Sequence, residues 1–371
     1  VLALRVLAGV LGCAVVVGVF MSALRTVVLP RGEPVRIVGL VFQTVRVLFN
    51  LGVGTLRTFT ARDRLMAHYA PVCLLLLPLV WLTIAWLGFA LLFWAMQGGS
   101  FVTALTVSGS SLTTLGFERP DGFGPILLSF LEAAMSMSVL ALLLVTYLPS
   151  MYAAFSEREH QVSLFEVSGG IPPSAVEMMI RYHRIRGFGE TETVWLEWER
   201  WFAKLAESHT DLPALVFFRS PDPRHSWVNS AGAVLDAAAM VAAVVDLDRA
   251  GLDEHGFETR DGQMIRMPRA EICIRAGFLA LRRVAAFMDL PVNHDPAPDD
   301  PISITREQFD EAWEAMDEAG VPLREDRDQA WRDWAGWRVN YDQALLGLAE
   351  LTVAPPAPWI DCDHLDRLVT A

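Results

Sequence analysis

The chain has 371 residues, 53% of them hydrophobic, and carries a net charge of −13. That is too apolar for an ordinary soluble domain of this length. The charge is also divided: residues 1–151 hold nine Arg against five acids, and residues 152–371 hold 21 Lys+Arg against 38 Asp+Glu, so two parts in different solvents are implied and the acidic part is excluded as a nucleic-acid partner.

The first element is an apolar run over Val6–Leu24, long enough to cross about 30 Å of hydrocarbon at 1.5 Å per residue. A signal peptide is the alternative. The run is longer than a usual signal core and no small-x-small site precedes a polar start, so residues 1–29 are expected to form an uncleaved spanning helix. A basic segment follows over residues 30–67, with Arg25, Arg31, Arg36, Arg46, Arg57, Arg62 and Arg64 in and beside it against Glu33 and Asp63. The positive-inside rule places it in the cytoplasm. Within it, Val35–Leu56 is apolar but interrupted by Arg36, Gln43, Arg46 and Asn50, which recur on one helical face. That pattern predicts a helix lying in the membrane interface, with a fourth crossing as the alternative.

Two further apolar runs, Pro71–Met96 and Pro125–Leu148, are expected to cross outward and back inward, with residues 68–152 as one module. Between them lies an uncharged, hydroxyl-rich stretch, Gln97–Phe117. Ser100 is placed to cap a short helix ending near Ser110 or Ser111, about 16 Å long, half a bilayer. A half-helix followed by irregular backbone is tolerated at membrane depth only where protein buries it or where it lines a wet cavity.

A span, a half-helix, Thr113-Thr114-Leu115-Gly116-Phe117 and a second span together resemble the pore module of the potassium-channel family, over about 85 of the 371 residues. The fold so implied is an all-α membrane protein: a potassium-channel-like pore of two spanning helices and a pore half-helix, an extra N-terminal span, and a helical cytoplasmic domain over residues 153–371. The function implied is a monovalent cation channel, potassium by preference, in a bacterial plasma membrane, with the lipid bilayer and three further copies of the chain as partners. No cofactor beyond the permeant potassium ion is implied. Potassium is expected at Thr114, Leu115, Gly116 and Phe117, whose carbonyls would replace its hydration shell when four copies face an axis. Thr113 is expected to hydrogen-bond behind the filter and Phe117 to brace it. Gly116 supplies backbone angles closed to other residues.

The family's last filter glycine is replaced here by Glu118, followed by Arg119. A glutamate in left-handed geometry would cost about 1–2 kcal/mol, and four Glu118 carboxylates would ring the mouth, so strict potassium selectivity is the expectation least supported. On the third span, Glu132 is too costly to face lipid and is expected to meet Ser108, Ser110 or Ser111. Met135, Val139, Leu142 and Thr146 recur at helical spacing as cavity candidates. Pro149 is a candidate gate bend, with the end of the span as its alternative role.

Beyond residue 152 the pattern predicts helices over Ala175–Arg184, Thr191–Glu207, Ser230–Asp248, Arg269–Asp289, Thr305–Ala319 and Gln329–Leu351. Thr305 and Gln308 form a capping box and Gly320 a stop. Trp195, Trp198 and Trp201 read as one core face. No glycine-rich nucleotide loop follows a strand, no small-molecule ligand is identifiable, and Cys13, Cys73, Cys273 and Cys362 lack metal-ligand spacing. His209 with Asp211 and His225 with Asp222 form no evident catalytic set, so an enzyme is not expected. One lysine, Lys204, among 30 basic residues suggests a GC-rich bacterial genome. A non-conducting sensor or scaffold keeping the pore fold is the rival reading.

Overall fold

The computed structural model describes residues 2–27, 36–185, 187–247, 249–250 and 267–356. Among them the protein is all-helical, with a single isolated bridge, Val245–Leu323, in place of any strand. The chain divides into two compact units, Val1–Ala153 and Ala154–Ala371.

The first unit begins with α1 (Leu2–Val27), α2 (Arg36–Thr55), α3 (Phe59–Met66) and α4 (Tyr69–Gln97). It continues with α5 (Phe101–Leu112) and α6 (Phe123–Ala141), then a π-helical turn, Leu142–Tyr147, leading into α7 (Leu148–Gly169). Four stretches are long and apolar enough to cross a membrane: Leu2–Val27, Arg36–Thr55, Phe59–Gln97 and Phe123–Gly169. They mark a membrane protein, and α2 is among them by length and composition.

α1 and α4 pack antiparallel. Arg5 at the start of α1 donates to the carbonyls of Ala95 (3.0 Å) and Met96 (2.9 Å), capping the last turn of α4. Toward the other end of α1, the Trp81 indole donates to Ser22 Oγ at 3.1 Å. The helices touch at Gly12, where an added Cβ would lie 2.8 Å from the Gly88 carbonyl and 2.9 Å from Leu92. Lipid gives apolar helices no hydrophobic reason to associate, so this close approach of small residues supplies the attraction. Gly12→Leu is expected to cost about 1–3 kcal/mol by overpacking, and Gly18→Leu, which meets nothing within 4 Å, to cost little. Thermal unfolding of the two variants in detergent measures the difference.

The helix expected to end near Leu148 runs on without a break to Gly169. Pro149 therefore does not end the helix. The distortion is the π turn one turn earlier, in which the Leu148 amide reaches the Leu143 carbonyl. Proline's ring collides with the carbonyl four residues back. Here that carbonyl is Val145, inside the widened turn, which makes room for the ring.

The second unit contains the acidic part of the sequence. It holds α8 (Ala175–Arg184), α9 (Thr191–Asp211), α10 (Trp227–Ala243), α11 (Pro268–Phe287), α12 (Arg306–Glu318), α13 (Arg327–Arg338) and α14 (Asp342–Thr352). α10 is the axis of the bundle, with all but one of its residues buried. Trp195, Trp198 and Trp201 are buried on α9 as expected. Thr305 and Gln308 form the capping box and Gly320 adopts φ +81° beyond α12. The helix expected over Gln329–Leu351 is two helices. The break comes from tertiary bonds: Asn340 Nδ2 caps the Gly336 and Trp337 carbonyls, Arg282 takes the Asn340 carbonyl at 2.7 Å, and Tyr341 Oη reaches buried Asp236 at 2.7 Å. Asp248, the expected end of the α10 helix, and Cys362 lie outside the described residues.

Candidate functional site

The half-helix forms where its pattern placed it. Ser100 Oγ accepts the Val102 amide at 3.2 Å, so the hydroxyl caps α5. Thr113 is the C-cap, its amide still bonding the Gly109 carbonyl at 3.1 Å, and the helix stops because Thr114 turns left-handed, φ +58°. The Thr114 amide then bonds the Ser111 carbonyl at 3.0 Å and the Leu115 amide the Ser110 carbonyl at 3.1 Å. That pair of bonds is a Schellman cap, a motif that usually has glycine where Thr114 stands.

Beyond the cap the handedness alternates. φ is positive at Thr114 and at Gly116 (+67°) and not at Leu115 or Phe117. Among the described residues, no carbonyl of residues 113–117 accepts a hydrogen bond. Thr113, Thr114, Leu115, Gly116, Phe117 and Glu118 are all exposed in the single chain. Two other non-glycine residues, Asp289 and Val353, have positive φ, but neither is followed two residues later by a second one.

Support for this loop is polar and buried. Ser110 Oγ, 1% exposed, accepts the Glu118 amide at 3.0 Å and ties the far end of the loop to the half-helix. Thr113 Oγ1 donates to the Gly109 carbonyl, four residues back on α5, at 2.6 Å. Ser136 on α6 donates to the Leu112 carbonyl at 2.8 Å. Glu132 on α6 is fully buried, with Oε1 2.5 Å from Ser108 Oγ on α5. Ser108 Oγ also lies 3.0 Å from the Trp86 carbonyl of α4. One carboxyl group and one hydroxyl thus join the three helices of the module at the depth of the half-helix. Trp86 closes the same joint by donating its indole N–H to the Leu105 carbonyl at 2.9 Å.

Several expected roles change. Glu118 is not left-handed, so the backbone penalty expected for a glutamate there does not arise; the Ser110 clasp holds it in ordinary geometry. Phe117 is 65% exposed in the single chain. Val139 is buried in its own chain, which removes it from any cavity between copies. Met135 and Leu142 are half-buried, and Thr146 and Pro149 exposed. The free face of α6 instead carries Phe130, Ala134, Met137 and Ala141. Helical spacing alone gave two equivalent faces; only the packing of α6 on α5 selects between them.

In the second unit, the expected His–Asp pairs do not form sites. His209 is buried and accepts from Arg158 Nη1 at 3.3 Å; burial and that guanidinium push its pKa well down, keeping it neutral. His225 lies 2.6 Å from Glu166 and 4.0 Å from Asp222. No cluster among the described residues could hold a metal ion. Against known protein families, curated proteins and solved structures, the chain finds no match.

Proposed function

We propose that the protein is a monovalent cation channel, potassium being the preferred ion, whose pore is completed by four copies facing one another across residues 113–118. One observation carries the reading: a half-helix ends in a strained, left–right alternating loop whose five consecutive carbonyls have no partner among the described residues. Unpartnered carbonyls at membrane depth cost several kcal/mol each unless something polar meets them. Rings of carbonyls around a dehydrated cation are the arrangement that makes such a loop stable. The exposure of the whole loop in one chain fits a site that copies of the chain complete. The negative end of the α5 dipole favours a cation at the inner end of the filter.

The arginine-rich segment around α2 and α3 supports, by the positive-inside rule, a cytoplasmic side for that end of the module in a bacterial cell. The filter loop then faces outward, and the acidic second unit lies inside. Glu118 stands at the outer mouth, where its carboxylate would concentrate cations and loosen the discrimination that an all-carbonyl ring provides.

Purified protein in liposomes is expected to take up rubidium and potassium. Glu118→Gly is expected to raise the potassium-to-sodium flux ratio by several-fold. Intact tetramers with no flux of any monovalent cation would show that the module is a non-conducting scaffold.

A further inference from the structure

α2 is long and apolar enough to cross a membrane, yet its contacts within the first unit place it elsewhere. α1 and α4 run antiparallel, with Arg5 at Ala95 and Met96 and Ser22 at Trp81. The end of α1 and the start of α4 therefore lie on the same side of a bilayer. Any crossing between them must be matched by a return. α3 has eight residues, about 12 Å, too short to return a crossing, and the sequence of residues 28–35 holds Arg31, Glu33 and two prolines, which is not that of a membrane span. A lone crossing by α2 would put the start of α4 on the wrong side.

The side contacts agree. Tyr69, the first residue of α4, donates its hydroxyl to the Phe42 carbonyl at 3.0 Å, and its ring meets Phe42 and Phe49 edge-on at 6.1 and 5.6 Å. The middle of α2 thus sits at the level where α4 begins rather than alongside its length. At 100° per residue, α2 carries three stripes. Val41, Val45 and Phe49 face the protein. Leu40, Val47, Leu48 and Leu51 form an unpartnered apolar stripe, each at least 60% exposed. Arg36, Gln43, Arg46 and Asn50 form the third. Arg25, Arg57 and Arg64 are exposed close by in sequence, and the one described acid of this region, Asp63, is buried.

A helix of this kind meets acyl chains on one stripe and headgroups on the next. With so many guanidinium groups and no exposed described carboxylate, the complementary headgroup is anionic. We infer that α2 lies flat in the cytoplasmic headgroup layer and binds anionic phospholipid through its arginine stripe, with Leu40, Val47, Leu48 and Leu51 among the acyl chains. The inference rests on the membrane placement of α1 and α4, independently of ion conduction.

The test uses the full chain with Cys13 and Cys362 replaced by serine and a nitroxide at Leu40→Cys or Leu51→Cys. The protein is placed in phosphatidylcholine vesicles with or without phosphatidylglycerol. Depth is read from collision with oxygen against a water-soluble nickel chelate. The two labels are expected at the same shallow depth. Depths differing by about 16 Å, the rise of eleven helical residues, would mean that α2 spans the bilayer and would overturn the inference. Labels shielded from both oxygen and nickel would mean that a second copy covers the stripe, which overturns it as well. In parallel, phosphatidylglycerol retained on the purified protein is counted by native mass spectrometry. Arg36→Gln and Arg57→Gln are expected to lower its affinity roughly five-fold for each charge removed. Unchanged retention would remove the anionic headgroup from the proposal.

Discussion

Arg338→Met is expected to destabilise the second unit by about 3–5 kcal/mol, the cost of stranding a buried charge. Arg338 is fully buried. Its guanidinium bonds Asp236 on α10 at 2.6 and 2.8 Å, Asp342 on α14 at 2.7 Å and Ser303 at 3.3 Å, and it lies 5.3 Å from the Tyr341 ring. Burial alone would loosen its proton, but Asp236 and Asp342 together hold that proton more tightly than in a free arginine. Asp236 is also fully buried, and without Arg338 it keeps only the Tyr341 hydroxyl at 2.7 Å. Asp342 is better placed, since the Ser303 amide and hydroxyl still reach it at 2.8 and 2.6 Å. The loss should therefore trace to Asp236, and Arg338→Met with Asp236→Leu should recover most of it. Urea unfolding followed by the fluorescence of the buried Trp195, Trp198, Trp227 and Trp334 reads the cycle. A single-variant cost under about 1 kcal/mol, or no recovery in the double variant, would show that the ion pair does not hold α10, α13 and α14 together.

The second large effect is expected at the filter, where stability and flux should move apart. Thr114 occupies a left-handed cap position that favours glycine. Thr114→Gly should relieve about 1 kcal/mol of backbone strain and raise the thermal stability of the first unit. It also removes the Thr114 hydroxyl, which on the channel reading would add an oxygen to the innermost ion ring, and frees the loop, so rubidium uptake should fall by at least about ten-fold. Gly116→Ala is the converse. An added Cβ meets nothing within 4 Å in the chain, so the variant folds, but its positive φ strains every copy by about 1–2 kcal/mol. Four strained copies around one axis should abolish selective uptake. If Thr114→Gly is more stable and conducts unchanged, the threonine is an ordinary helix end and the alternating loop is not a filter.

These two sites differ in how far they could be read from the amino-acid order. The loop was legible because its signals are local. Ser100 caps from the position a cap requires, the hydroxyl-rich half-helix has the length of half a bilayer, and Gly116 stands where φ is positive. Glu132 beside Ser108 was legible too, because a carboxyl in an apolar run has few places to go. The Arg338–Asp236 pair was not. Its partners lie 102 residues apart, and no local pattern links an aspartate within the alanine-rich α10 to an arginine on a tryptophan-rich helix. The split between α13 and α14 was missed for the same reason: Asn340 and Tyr341 leave the helix to satisfy α10 and α11.

By itself the sequence determined where the long apolar helices lie, where α5 begins and that Gly116 would take a backbone conformation closed to other residues. Each of these follows from the periodicity, capping chemistry and conformational freedom of neighbouring residues. The left-handed turn at Thr114 was not among its signals. Only the tertiary structure decided the rest. It selected the face of α6 that stays free, put a widened turn at residues 142–147 ahead of Pro149, and set α2 against the start of α4. It also removed the penalty expected at Glu118 by placing the Ser110 hydroxyl beneath it. Those outcomes depend on which groups meet across the fold, and hydrogen bonds between residues distant in sequence leave no periodic trace along the chain.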